Sequence, residues 1–434
     1  MQQIVPIVPF AGRMTLIGLS LACIGPTAQA SGFALPEVST AGIGTANAMV
    51  ANAVDPGAFA YNAAAMGFHD ANSVAVGALF IAPSFQVTND SGSQDSNGAD
   101  WIAAPMLQAA LALNDTWRVG LGVNAPFGLE TRWPTNTFPA LTDSVPAPPT
   151  LPEPTIPLSP QPLQSKLEIL SIVPTATFRV NDALSLSAGV DYYTARSAVL
   201  DSSLAKLDGD GDGWGYNLGF LFRRDALSIG GSFHSAATID IEGDYQPTSQ
   251  NLVLLGELLP AQSAELELDL PWRLQLGARY AFTDRLAVEL DWTRTGWSEF
   301  ESIEIETKSG GQLIQTDVND WSDANAYRLG MSYQWRPATV VRAGYSFDET
   351  GQGDDHFSAR VPDNDRHLFS LGIGHELGGG WSIDAGYMYV LFEDRDYESS
   401  TAYTGGSEIN GTDAIDGEYE ASAHLIGVEI RRTF

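Results

Sequence analysis

Trp272-Arg273-Leu274-Gln275-Leu276-Gly277-Ala278-Arg279-Tyr280-Ala281-Phe282 is the stretch whose reading decides the fold. Trp272, Leu274, Leu276, Ala278, Tyr280 and Phe282 fall on one face, and Arg273, Gln275, Gly277, Arg279 and Ala281 on the other. Successive side chains of an extended chain point to opposite faces, so strict alternation is the signature of a half-buried strand. The next run repeats it. Leu286, Val288, Leu290 and Trp292 oppose Ala287, Glu289, Asp291 and Thr293. Further along, Tyr327, Leu329, Met331, Tyr333 and Trp335 oppose Arg328, Gly330, Ser332 and Gln334, and Trp381, Ile383, Ala385, Tyr387 and Tyr389 oppose Ser382, Asp384 and Gly386.

A soluble β-sandwich also alternates, but three features favour a membrane barrel. The apolar faces end in Trp, Tyr or Phe, as an interfacial girdle requires. The polar faces carry Arg and Glu interspersed with glycine, which suits a polar lumen. Connections are asymmetric: Asn114-Asp115, Asn181-Asp182, Arg224-Asp225, Thr283-Asp284, Arg336-Pro337 and Gly378–Gly380 are short, and longer polar loops alternate with them. Membrane barrels pair short periplasmic turns with long outer loops in this way. Fourteen strands are expected between residues 72 and 434, among them 184–199, 213–224, 226–241, 269–282 and 286–302. The fold class is all-β, a 14-stranded antiparallel transmembrane β-barrel in the outer membrane of a Gram-negative bacterium. An even count puts both chain ends on the periplasmic side, and Phe434 closes the last alternating run.

Residues 1–30 read as a signal peptide. Arg13 supplies the positive start, Met14 to Ile24 the apolar core, and Ala28-Gln29-Ala30 a small-x-small cleavage site. Cleavage would remove Cys23, the only cysteine. Cys23 could otherwise accept a lipid, although Ser20 stands where such signals carry leucine. Residues 31–71 are rich in Gly, Ala, Ser and Thr, yet Phe33, Leu35, Met49, Phe59, Tyr61 and Met66 are too apolar for a disordered tail. A fourteen-stranded barrel leaves a lumen to fill, so this segment is expected to be a plug, or hatch, with 72–434 forming the barrel.

Residues 134–162 hold ten prolines and are expected to form an extended loop that cannot pair in a sheet. The 242–268 loop carries Leu252, Leu255, Leu258 and Leu259. Apolar clusters on outer loops want a partner or a ligand, although the two loops could simply pack on each other.

The balance of 53 acidic against 22 basic residues, with lysine only at 166, 206 and 308, gives a net charge of −31. Such a surface cannot neutralise phosphates, which argues against nucleic acid. No Walker A, Gly-x-Ser-x-Gly or His-Glu-x-x-His motif is present, so no enzyme and no cofactor is expected. The six histidines lack metal-ligand spacing. Asp208, Asp210 and Asp212 begin like a calcium loop, but Gly219 stands where the twelfth-position Glu belongs, and a tight polar turn is the expectation there, with weak divalent-cation binding as the alternative.

Several short stretches then resemble one family. Ser31-Gly32-Phe33-Ala34-Leu35, Asn124-Ala125-Pro126-Phe127-Gly128-Leu129-Glu130-Thr131-Arg132-Trp133, Gly211-Asp212-Gly213-Trp214-Gly215-Tyr216 with Asn217-Leu218-Gly219, Leu270-Pro271 and Pro362-Asp363-Asn364-Asp365-Arg366 are similar to signatures of the FadL outer-membrane transporters. The resemblance spans essentially the whole mature chain. It implies a hatch-plugged barrel that passes fatty acids or hydrocarbons by diffusion, from an outer groove to an inner pocket and sideways through the wall. It further implies a hatch gate at Asn62, Ala63 and Ala64, where the family has Asn-Pro-Ala, so the proline-fixed backbone is missing. Arg196, in Tyr193-Thr194-Ala195-Arg196, matches the first of two basic residues that hold a carboxylate. The second should follow Trp321, which is followed by Ser322. The substrate-binding set is therefore Phe33, Arg196, Leu252, Leu255, Leu258 and Leu259. The expected partners are a hydrophobic small molecule, outer-membrane lipid and lipopolysaccharide, with the chain as a monomer.

Overall fold

Alternation along each strand and antiparallel pairing between neighbours close the chain into a barrel. The computed structural model describes residues 32–97 and 101–434; the signal-peptide reading of 1–30, with Cys23, lies outside them. In chain order the strands are β1 (Ser73–Asn89), β2 (Ile102–Ala112), β3 (Trp117–Arg132), β4 (Pro162–Arg179), β5 (Leu184–Ser202) and β6 (Ala205–Arg224). The next four strands each come in two pieces, as β13 does later: β7 (Leu227–His234 and Ala237–Pro247), β8 (Gln262–Leu270 and Arg273–Ala281), β9 (Leu286–Thr295 and Ser302–Thr307) and β10 (Leu313–Val318 and Ala324–Arg336). Then follow β11 (Thr339–Asp348), β12 (Arg366–Gly378), β13 (Trp381–Phe392 and Arg395–Tyr397) and β14 (Gly417–Thr433). Closure runs from Ser73 opposite Thr433 to Thr88 opposite Glu418.

The two faces separate as their chemistry requires. Leu276, Leu290, Tyr280, Phe282, Trp335, Trp381 and Phe434 point outward and are exposed, and Arg118, Gln275, Asp291, Arg328, Arg342 and Arg431 are buried inside. Glycine in the wall lets backbone approach the lumen contents. A Cβ at Gly230 would stand 2.1 Å from the Val50 carbonyl oxygen, and one at Gly344 2.2 Å from the Thr45 carbonyl carbon.

Three expectations are corrected. Asp208–Gly213 is not a turn: these residues lie within β6, which reaches β5 through the two-residue connection Ser203-Leu204. The outer connections are therefore not uniformly long. The acidic residues there alternate with glycine, so they sit on the outward face of a paired strand opposite Asp240, Glu242 and Asp244. The proline-rich segment does pair, in a small hairpin that sets Ser144 opposite Pro157 and Pro146 opposite Thr155. As an isolated two-stranded ribbon it leaves every proline on an edge, where the missing N–H breaks no inner ladder. Finally, the long strands assigned to 226–241, 269–282 and 286–302 are interrupted near His234, Pro271 and Gly296.

Candidate functional site

Residues 32–71 run inside the barrel and touch the wall on many sides. Thr177 of β4 donates to the Ala63 carbonyl (2.9 Å), and Gln275 of β8 to the Asn47 carbonyl (3.2 Å). The Met49 and Val50 amides donate to the Asp291 carboxylate (2.9 and 3.1 Å), and the Ala51 amide to Glu289 (2.7 Å). Arg342 of β11 bridges Asp55 of the segment and Asp384 of β13, at 2.7 Å to each. Asn62 caps the 3₁₀ turn Ala63–Phe68: its Oδ1 accepts from the Ala64 amide (3.1 Å), and its Nδ2 donates to the Val50 and Phe220 carbonyls (2.8 Å each). Small side chains pack this segment closely, and its backbone groups find partners in the wall rather than in water.

At its upper end Phe33 is buried in an aromatic nest. Its ring centroid lies 4.8 Å from Trp297, 5.4 Å from Phe300, 5.9 Å from Phe127 and 6.2 Å from Trp321. The interruptions of β9 and β10 make this possible. A regular strand would alternate these side chains across the wall, but at 296–301 and 319–323 the chain leaves the ladder, and Trp297, Phe300 and Trp321 are all buried.

Beside Phe33 lies a cavity of about 390 Å³. Its lining includes Phe127, Leu129, Leu167, Leu368 and Leu425, with Arg196, Lys166 and Arg366 as its cations and Glu37, Glu130 and Glu168 as its carboxylates. A second, apolar cavity of about 80 Å³ shares Phe33, Leu129, Lys166 and Leu167 with it and continues toward Ile241, Leu268 and Phe300. An apolar chamber with a few placed polar groups is the usual form of a small-molecule site. Arg196 sits at a bulge of β5 and among the described residues has no ion-pair partner. Lys166, which sequence reasoning missed, is 2.9 Å from Glu168. Arg366 also reaches the cavity, paired with Asp348 at 3.6 Å and 5.7 Å from the Phe392 ring. Each of these residues is one alternating position among many, and no local pattern marks it.

The cavity lining includes Ala103 and Pro105, which are exposed on the outward face of β2. The ladder between β2 and β3 runs from Ala112 opposite Arg118 to Leu107 opposite Val123 and stops there. Contact resumes above, where the Asn97 amide donates to the Arg132 carbonyl (2.7 Å). The wall thus has a window at the level of the cavity.

The outer loops meet over the barrel. Glu153 of the proline-rich segment accepts from the Ser249 hydroxyl (2.8 Å) and from the Gln250 and Asn251 amides (3.0 and 3.3 Å). These groups begin the short helix Gln250–Leu255, and a carboxylate is favourable at a helix start. The Ser249 hydroxyl and the Gln250 amide hold the Glu153 carboxyl below its ordinary value. Leu252 is buried, Leu255 exposed, and Leu258 and Leu259 half-buried; none of the four lines either cavity. From the other side, segment 349–365 closes over the lumen: Thr131 and Trp133 donate to the Arg360 and Ala359 carbonyls (2.8 Å each).

A closed barrel with an apolar belt, a filled lumen, an inner apolar cavity and a hole in its wall defines an outer-membrane transport barrel. A family profile described as "Outer membrane protein transport protein (OMPP1/FadL/TodX)" matches residues 21–145 and 153–434. The chain belongs to this family of outer-membrane transport proteins, whose members are channels rather than enzymes and carry hydrophobic substrates. It is 24% identical to the "Long-chain fatty acid transport protein" of Escherichia coli O6:H1, over 96% of this chain and 98% of that protein. Among solved structures it resembles a Pseudomonas aeruginosa FadL homologue (TM-score 0.77, 20% identity, 93% and 99% of the two chains). It also resembles the TodX deltaS2S3 mutant, a monoaromatic hydrocarbon channel (TM-score 0.67, 16% identity, 91% and 99%).

Proposed function

We propose that this chain carries long-chain fatty acids and similar lipophiles across the outer membrane by passive diffusion. The ligand is captured at the outer loops, where Leu255, Leu258 and Leu259 supply apolar surface, while Leu252 is buried and offers none. It then rests beside Phe33 in the inner cavity, with its carboxylate toward Arg196, and leaves sideways through the window between β2 and β3. The observation that carries this reading is the apolar cavity of about 390 Å³ that has Arg196 on its lining and the window beside it. A guanidinium that forms no ion pair among the described residues can take a carboxylate in a charge-assisted pair. Binding and uptake of oleate by Arg196→Ala test it: both should weaken, and unchanged oleate affinity would remove the head-group role.

Residues 31–71 serve as the hatch, with Asn62, Ala63 and Ala64 at its gate. No proline fixes the backbone at Ala63, so the Asn62 side chain alone caps the turn. The rival within the same membrane is a general diffusion porin, and fast, size-limited sugar flux into liposomes would favour it. A lipase is the rival from the enzyme class; phospholipid hydrolysis by the pure protein, abolished by changing one Ser, would support it. A second reading of the cargo, uptake of alkanes or aromatic hydrocarbons, is favoured by one observation: Lys166 and Arg366, which line the cavity with Arg196, are already engaged by Glu168 and Asp348. Competition between toluene and oleate for the purified protein separates the two cargos.

A further inference from the structure

The window in the wall exposes two strand edges, and a short piece of the N-terminal segment lies along one of them. The Leu113 amide donates to the Trp117 carbonyl across the lower turn. Backbone groups alternate sides along a strand, so the odd-numbered residues of β2 aim their N–H and C=O at β3. Within the window these are Pro105 and Ala103, and Pro105 has no N–H to leave unpaired. On β3 the Thr116 carbonyl accepts from Arg179 beside β4, so below the window even-numbered residues face β4. The register with β4 then shifts between Asn124 and Phe127. That bulge adds one residue and reverses the alternation, so Pro126 and Gly128 face the side that β2 has left.

Those are the groups the N-terminal segment takes. The Leu35 amide donates to the Pro126 carbonyl (2.8 Å), and the Gly128 amide to the Phe33 carbonyl (3.0 Å). Ala34 stands antiparallel to Phe127, the orientation β2 itself has to β3. We propose that Phe33–Leu35 act as a stand-in second strand, occupying the edge of β3 that β2 would otherwise pair with and so holding the window open. Unpaired backbone facing lipid is strongly penalised, so without the stand-in the lowest-energy course for β3 is to zip up to β2 from Leu107 and Val123 toward Asn97 and Arg132. Seating of the N-terminus and opening of the wall are then one equilibrium. The aromatic nest around Phe33 sets its position, because the residue that anchors the stand-in strand also lines the cavity. The pairing claim stands without the transport reading; only the uptake arm of its test rests on the window being the exit.

The test is amide hydrogen exchange on the full chain purified in detergent, with heat-modified gel mobility to confirm assembly. Leu35→Pro removes the amide donated to Pro126; a second variant lacks residues 32–35. In the unaltered protein the Gly128 amide should be protected and the Ala103 amide fast. In both variants Ala103 should slow at least tenfold as β2 and β3 zip together, and oleate uptake should fall. Pro105→Ala, which returns a donor to β2, should slow the neighbouring Ala103 amide in the same direction with the N-terminus intact. If Ala103 stays fast in Leu35→Pro and in the deletion, the stand-in role is wrong, even where uptake falls. If Gly128 exchanges as fast as Ala103 in the unaltered protein, the bridge to Phe33 does not exist in solution and the proposal fails. Slow Ala103 with uptake intact supports the pairing and removes the window as the exit, leaving the substrate to be sought elsewhere.

Discussion

Replacing Arg342 by Met should loosen the plug segment without unfolding the barrel. Arg342 is 5% exposed as a side chain and lies 2.7 Å from both Asp55 and Asp384, whose side chains are 19% and 13% exposed. Removing one partner of a buried ion pair typically destabilises by about 3–5 kcal/mol, because the charge left behind has lost its compensation. Here two carboxylates are left. Asp384 is fixed in β13, but Asp55 belongs to the segment and borders a polar vestibule of about 890 Å³ at the periplasmic end, so it can relax toward water. That selects the low end, about 3 kcal/mol. At about 1.4 kcal/mol per tenfold, the population in which residues around Asp55 leave the wall should rise on the order of 100-fold. Single-channel conductance in planar bilayers reads the consequence, and hydrogen exchange at Met49–Ala60 reads the cause. The Met variant should open in bursts and exchange faster over that stretch, and Arg342→Lys, which keeps the charge but not the two-pronged geometry, should fall between. If the Met variant conducts and exchanges like the unaltered chain, the Asp55–Arg342–Asp384 bridge does not hold the segment, and the ion-pair reasoning is wrong.

Three further outcomes are expected. Deleting residues 31–60 should leave a barrel that assembles, conducts and loses selective uptake, because the lumen is lined by buried Arg and carboxylate side chains; conductance equal to the full-length protein would deny the segment its gating role. Changing Leu255 and Leu258 together to Asp should weaken uptake at low substrate concentration, at roughly 1.5–3 kcal/mol for each fully buried side chain lost from contact, with heat-modified gel mobility unchanged; undiminished uptake in the assembled variant would rule out a capture surface there. Asp365, at the base of the 349–365 segment, is pushed up to about 7 by burial and by the nearby Glu393, Asp363 and Glu349. The folded state therefore keeps a proton that the unfolded chain releases near 3.8, and the stabilisation this gives is complete below that value and declines as pH rises toward 7. Protease resistance of the loop should fall between about pH 4 and 7, and Asp365→Asn should flatten that dependence; parallel profiles would refute it.

Much of the architecture was written in local pattern. The face of Trp272, Leu274, Leu276, Ala278, Tyr280 and Phe282 reads as outward and its partner face as inward without any knowledge of neighbours, because side-chain direction follows from position in an extended chain. Short turns such as Asn181-Asp182 are equally legible. The inner cavity was not. Arg196 could be picked out only by resemblance, and Lys166 and Arg366 not at all, since each is set beside the cavity by strands that are far apart in the chain. The clasp of Glu153 on the start of the Gln250–Leu255 helix was also hidden, although the capping residue Ser249 and the acidic residue are both plain in the sequence. Nothing local says which carboxylate will meet which helix across 96 residues.

The sequence by itself determined that this chain is a barrel, which residues meet lipid, and that a small-residue segment precedes the first strand. Those follow from the two-residue period and the chemistry of each face, and both are local. Only the tertiary structure decided where the wall opens and what lies against the opening. The end of the β2–β3 ladder depends on one extra residue between Asn124 and Phe127, on Pro105 across the gap, and on Phe33–Leu35 arriving from the other end of the segment. A bulge is visible only against its partner strand, because register is a relation between two stretches of chain and not a property of either.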